Sequence, residues 1–289
     1  MATHCRGEEE PLRIATYNLR NYLLMDRQVD GRFRLEYPKP EAEKAVVRRT
    51  ILEAAPDLLA VQEIGTWDEL EELRDDLEQE GLPYESVFVL EADDETRRIG
   101  ALWRAGIEVE PIAHDDLSFS LFGDEMRVKR GMLELRVRAG EGPPFSVFVL
   151  HLKSKYTTDR RDPQSTQRRT KEAHAARERI LERFPDPSRS PFMIVGDLND
   201  HRNSSPVRRF LVRGDLQISQ ILEARDRSGL IWTHYYKKGG EYSLLDYMLA
   251  SPGLTSIYET RSEIVDRADY YEGSDHRLVW TDLSLREAN

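Results

Sequence analysis

The chain of 289 residues has one cysteine, Cys5. No disulfide can form within it, so cross-links contribute nothing to stability and the redox compartment is left open. No apolar run approaches the ~18 residues of a membrane span, and the opening "MATHCRGEEEPL" contains no signal-peptide core. The expectation is a soluble protein without stable membrane insertion, cytoplasmic, or secreted if a signal peptide has been removed. An excess of positive charge is missing too. With 53 acidic against 42 basic side chains the net charge is −11, which argues against a broad electrostatic grip on nucleic acid or an anionic membrane. A local basic patch can still sit on such a protein. There is no internal repeat, low-complexity tract, linker or GxxxxGK[ST] phosphate loop.

What is present suits a folded core. Apolar residues make up 39% and charged residues 33%, enough for an interior with a well-solvated exterior. Strand-like runs recur at 13–19, 57–64, 84–90, 99–112, 131–139, 145–153, 192–197, 242–250 and 277–285. Helical patterns cover 40–54, 67–80 and 166–183, and the polar segment 154–165 reads as a surface loop able to reach over a site. "LAVQEI" and "FMIVGD" are nearly continuous apolar runs, as centrally buried strands are. Strands outnumber helices and follow one another mid-chain, which favours mixed or antiparallel sheets packed together with helices outside.

One apolar strand after another ends on a polar residue. "IATYN" stops at Asn18, "LLAVQE" at Glu63, "VFVLH" at His151 and "MIVGDLN" at Asp197 and Asn199. "SLLD" carries Asp246, and "GSDH" puts Asp275 and His276 before the last strand. Any one of these could simply cap a turn. Burying an unpaired carboxylate costs several kcal/mol, however, so a shared position would require partners. If the strand ends converge, they make an oxygen-rich cluster with two imidazoles, suited to a hard divalent cation such as Mg²⁺ or Mn²⁺. On an extended backbone Asp197 and Asn199 point to the same side, about 7 Å apart, and Asp200 points away.

The ordered set "TYNL", "VQE", "HLKS", "GDLND", "LLDYML" and "SDHR", spread over residues 12–285, resembles the endonuclease/exonuclease/phosphatase superfamily. The resemblance implies an α/β fold of four layers, two mixed β-sheets face to face with helices outside. It implies a flexible tail over 1–11 and a single domain over 12–289, since the motifs run from Asn18 to His276. It also implies hydrolysis of phosphodiester bonds by in-line attack of an activated water, with one or two Mg²⁺ or Mn²⁺ ions. Glu63, Asn18 and Asp275 would serve the metal. Asp197 would handle the proton of the water and Asn199 a phosphate oxygen or the nucleophile. His276, oriented by Asp246, and His151 would stabilise the phosphate.

Substrate is less constrained. Lys153, Lys155 and Arg130 are candidates for phosphate contact, and DNA, RNA or a small phosphodiester would each fit a monomeric enzyme. "HLKSK" with an Arg-rich helix after it is most similar to the bacterial nuclease and phosphodiesterase branch. Arg277 after the "SDH" is similar to inositol phosphatases, but Leu278 stands where proline is often found. Phosphomonoester hydrolysis of inositol or lipid head groups is the alternative, and an inactive binding module is disfavoured because every motif residue is present. His114, His174, His201 and His234 match no motif and are expected at the surface.

Overall fold

The computed structural model describes residues 11–286, so the tail expected over 1–11 lies, Pro11 apart, outside the described residues. The chain begins with β1 (Leu12–Tyr22), the hairpin β2–β3 (Met25–Val29, Arg32–Tyr37), α1 (Glu41–Ala54), β4 (Leu58–Ile64) and α2 (Trp67–Gln79). Next come β5 (Ser86–Leu90), β6 (Arg98–Trp103), β7 (Ile107–His114), the hairpin β8–β9 (Ser118–Leu121, Asp124–Arg127) and β10 (Met132–Ala139). β11 (Phe145–His151), α3 (Thr166–Arg183), β12 (Phe192–Asp197) and α4 (Ser205–Leu211) follow, then the short β13 (Val212–Arg213), β14 (Leu216–Gln217) and β15 (Gln220–Ile221). The hairpin β16–β17 (His234–Tyr236, Glu241–Ser243) leads into β18 (Asp246–Ala250), α5 (Pro252–Ile257), β19 (Tyr258–Ile264), α6 (Tyr270–Gly273) and β20 (Val279–Leu285).

Two six-stranded mixed sheets carry the fold, in the orders β19-β20-β1-β4-β6-β5 and β15-β18-β12-β11-β10-β7. The run at 99–112 is not one strand. It turns at Gly106, whose φ of +93° suits glycine, and its halves β6 and β7 join different sheets. The run at 242–250 likewise divides into the end of a hairpin and β18.

Period-two alternation explains the layers. Ile14, Leu58, Ala60, Val147, Val149, Met193, Val195 and Met248 share the core between the sheets. The intervening Ala15, Tyr17, Leu59 and Val61 pack with Val47 and Ile51 of α1 and Leu70 and Leu73 of α2. Phe148, Leu150 and Ile194 pack with Ala173, Ala176 and Ile180 of α3 and Phe210 of α4. A central strand is therefore buried on both faces, which is why "FMIVGD" reads as a continuous apolar run. The result is helix, sheet, sheet, helix: the expected four-layer α/β sandwich. Among the described residues no helix is long and apolar enough to cross a membrane.

Gly196 shows how tightly the central strands approach. Its φ is +126°, and a Cβ there would lie 2.0 Å from the Leu150 carbonyl oxygen on β11. Gly196→Ala should cost at least about 2 kcal/mol from backbone strain and this clash; urea unfolding would show the loss as a lowered midpoint.

Candidate active site

The inner-face alternation that builds the intersheet core runs on into polar residues at one edge. Ile14 and Thr16 are followed by Asn18, Val147 and Val149 by His151, and Met193 and Val195 by Asp197. On β18 the same face carries Asp246, then Met248 and Ala250. Strand register completes the grouping: Asp197 is the Cα partner of His151 on one side and of Asp246 on the other. The cluster is thus the polar end of the core.

Asp197 is its centre. Its Oδ2 accepts from Asn18 Nδ2 and Asn199 Nδ2, each at 3.1 Å, and lies 3.5 Å from His151 Nε2 and 3.9 Å from His276 Nε2. Its Oδ1 accepts the Asn199 backbone N–H at 2.8 Å, an Asx-turn. The sequence expectation for Asp197 and Asn199 is corrected here. The strand ends at Asp197, and Asn199 has a left-handed φ of +54°, so the two side chains touch instead of standing about 7 Å apart along a strand. Asn199 Nδ2 also donates to the Leu152 carbonyl at 3.0 Å. Asp200 is more than a turn residue: it accepts both Arg169 Nε (3.0 Å) and Nη2 (2.8 Å) in a buried ion pair. Arg169 Nη1 reaches the Lys153 and Gln164 carbonyls, so this pair fastens the 154–165 loop to the end of β12.

His276 is held from behind. Its Nδ1 lies 2.8 Å from Asp246 Oδ2, its backbone N–H donates to Ser274 Oγ, and that hydroxyl donates to the Asn18 carbonyl. Thr233 Oγ1 accepts the backbone N–H groups of Leu245 and Asp246, both at 3.0 Å, fixing the start of β18. The electrostatics divide the two imidazoles. Burial works against a charged His276, but Asp246, by charge and hydrogen bond, and then Asp197 raise its pKa to about 10. Burial together with Arg130, His276, Arg97 and Lys153 holds His151 well below the usual histidine value. Asp197 is pushed up to about 7, chiefly by burial, with His276 opposing the shift and Asp246 adding to it. A cationic and a neutral imidazole therefore face one carboxylate.

Glu63 reaches the rim by an irregularity. Gln62 and Ile64 hold consecutive places in the pairing with β6, so Glu63 is an extra, bulged residue with a left-handed φ of +61°. Without the bulge, alternation from Leu59 and Val61 would turn it toward α1 and α2; Ile64 takes that place. Its Oε2 accepts the Asn21 N–H at 3.0 Å and lies 3.9 Å from Arg97 Nε, which donates to Asn21 Oδ1. Asp275 Oδ2 lies 3.8 Å from Arg20 Nε and 3.9 Å from His234 Nε2.

Donor atoms of Asp197, Asp246 and His276 lie within 4.8 Å of one another, as do those of His234, Asp275 and His276. Glu63 belongs to neither group. Among the described residues, Asp246 Oδ1 and His151 Nδ1 are buried without a hydrogen-bond partner, and Asn18 Oδ1 accepts only the Arg20 N–H, leaving a lone pair. An oxygen-rich rim with two partly exposed carboxylates fits a hard cation that keeps several waters.

His234, expected at the surface, is half-buried with its ring 4.6 Å from that of His276, and burial followed by His276 lowers its pKa to about 4. Its only sequence signal is "IWTHYYKKGG", a hairpin pattern before "LLDY". His114 is also buried, 3.0 Å from Glu134. Of the basic candidates, Arg130 is buried against Asp94 and the Leu152 carbonyl, Lys153 turns onto Ser154 and Tyr156, and Lys155 is exposed. Arg277 points away from the site into a buried pair with Asp226.

The model of the endonuclease/exonuclease/phosphatase family matches residues 15–276. No curated protein is matched by the sequence. Among solved structures, the chain is similar to the human Nocturnin catalytic domain (TM-score 0.65, 16% identity, 96% of this chain and 95% of that one). An endonuclease/exonuclease/phosphatase from Bacteroides vulgatus gives TM-score 0.66 and 17% identity over 96% and 100%. The mannosyl-6-phosphatase of Bacteroides thetaiotaomicron gives 0.61 and 16% over 95% and 100%.

Asp246→Asn should return the His276 imidazole from about 10 to about 6.5 or lower, because the charge that offsets burial is removed. Imidazole ¹⁵N chemical shifts followed against pH would read this directly.

Proposed function

The chain belongs to the endonuclease/exonuclease/phosphatase family, and from that membership we propose that it is a divalent-metal-dependent phosphodiesterase or nuclease using an activated water. The observation that carries the reading is the buried carboxylate of Asp197, held by two amides between a cationic and a neutral imidazole. Asp197, ionised above about pH 7, orients the attacking water and takes its proton. Asn199 and Asn18 hold the carboxylate in one orientation, and the Asn199 turn keeps it at the strand end. His276, locked by Asp246, donates to a phosphate oxygen and meets the negative charge that grows there. His151, neutral, offers a hydrogen bond on the opposite flank. Glu63, Asp275 and the remaining lone pair of Asn18 would hold Mg²⁺ or Mn²⁺, which when bound neutralises phosphate oxygen charge. Residues from Asn18 to His276 contribute, which supports a single catalytic domain.

Phosphomonoester hydrolysis keeps one supporting observation. Burial chiefly depresses the His151 pKa, but the charges of Arg130, His276, Arg97 and Lys153 add to it, a positive environment suited to a dianion.

Mg²⁺- or Mn²⁺-dependent cleavage of bis-p-nitrophenyl phosphate tests the proposal, and a panel of DNA, RNA and inositol phosphates separates the two readings. Asp197→Ala and His276→Ala should each lower kcat by about 100-fold or more. Activity that survives excess EDTA, or survives in both variants, would sink the mechanism. The pH profile follows from the signs of the shifts. Asp197 must be ionised, so kcat should rise through about pH 7. His276 must be protonated, so kcat should fall through about pH 10, both limbs belonging to the coupled pair.

A further inference from the structure

One flank of the site is a wall of aromatic rings that the proton-handling chemistry does not use. Tyr235 and Tyr242 are cross-strand partners in the hairpin β16–β17, stacked at 4.5 Å with 22° between their planes. Such a pair is enough to help close a short hairpin. The array goes further. Trp232 packs at 4.8 Å from Tyr242 and 5.4 Å from Tyr270, and Tyr271 meets Tyr235 edge-on at 5.6 Å, so rings from outside the hairpin extend the surface. Tyr242 is 59% exposed even with Tyr235 and Trp232 packed against it, so much of this residue still faces water.

The wall is fixed to the catalytic residues by backbone. The Tyr235 N–H donates to the Asp275 carbonyl at 2.9 Å, the Arg277 N–H donates to the Thr233 carbonyl at 2.7 Å, and His234 bridges to His276. Behind it Trp232 lies 4.1 Å from the guanidinium of Arg277, which is buried against Asp226 at 3.0 Å and Asp266 at 3.1 Å. At its inner end the Arg20 guanidinium lies over Tyr271 at 5.1 Å and 3.8 Å from Asp275, with Lys237 over the same ring at 5.5 Å. Rings, cations and catalytic imidazole thus follow one another along one edge.

We infer that this wall stacks the base of a nucleobase-bearing phosphoester whose phosphate enters the site beside His276. The inference rests on the phosphoesterase reading and names its substrate class. Stacking is tolerant of base identity because every base has a π-face, and cations near the rings add to the attraction. With a net charge of −11 the binding energy must come from such local contacts. The shared chemistry is a base next to a phosphate, supplied by a free nucleotide or by a single strand.

Titration of tryptophan fluorescence in Mg²⁺ buffer with AMP and with ribose 5-phosphate tests the inference apart from turnover. AMP should bind about tenfold tighter, and Tyr242→Ala should abolish most of that ratio while ribose 5-phosphate binds as before. Tyr242→Phe should retain the ratio, which a merely structural role for the hydroxyl would not predict. A single-stranded octadeoxyadenylate that binds tighter than AMP identifies a strand as the source; equal affinity identifies the free nucleotide. Equal binding of AMP and ribose 5-phosphate, or a ratio kept in both Tyr235→Ala and Tyr242→Ala, would overturn the platform. Cleavage of bis-p-nitrophenyl phosphate alongside that result leaves the phosphodiesterase reading intact. Base-dependent binding without any cleavage removes that reading and leaves the platform standing.

Discussion

The arrangement of the rim depends on one carboxylate buried where the two sheets meet. Asp197 cannot be ionised there without donors, and the fold brings them from three directions: Asn18 from the facing sheet, Asn199 from its own turn, and His151 and His276 from either side. Burial raises its pKa and the cationic His276 restrains it, so the carboxylate and imidazole are tuned against each other. Because Asp246 sets the charge on His276, a residue next to Asp197 in strand register governs how Asp197 titrates. The electrostatics of the cluster are thereby a property of the strand pairing.

Several local distortions serve the same edge. Glu63 and Asn199 both sit in left-handed conformations that disfavour residues with a Cβ, and Gly196 occupies one that only glycine tolerates at that distance from Leu150. Each strained residue costs on the order of 1–3 kcal/mol, offset by the packed layers on both sides of the strands. Two guanidiniums stabilise the turns that result. Arg169 on Asp200 secures the loop after His151, and Arg277 on Asp226 secures the segment behind His276. Both arginines are buried, so truncating either would leave an unpaired carboxylate, which is more damaging than the pair is stabilising.

Much of this was legible in the residues. Continuous apolar strands that outnumber the helices pointed to mixed or antiparallel sheets packed together with helices outside, and the resemblance carried by the motifs implied the four layers. Asn18, His151, Asp197 and Asp246 each extend an inner-face alternation, so their sidedness follows from counting by two. What alternation could not reveal is where it breaks. The bulge at Glu63, the turn at Asn199 and the division of 99–112 between two sheets depend on pairing partners far away in the chain. The basic residues were harder still: Arg130 and Arg277 look alike in sequence, and each turned out to be committed to a buried aspartate.

The sequence by itself determined the chemical inventory and its sidedness, because side-chain type and strand period are local properties. The tertiary structure alone decided which of those groups share an environment. His234 has no motif, yet its ring packs 4.6 Å from that of His276; five aromatic residues separated by up to 39 positions form one wall. The physical reason is that pKa, hydrogen bonding and stacking act over a few ångströms, and only packing decides which distant residues come within that range.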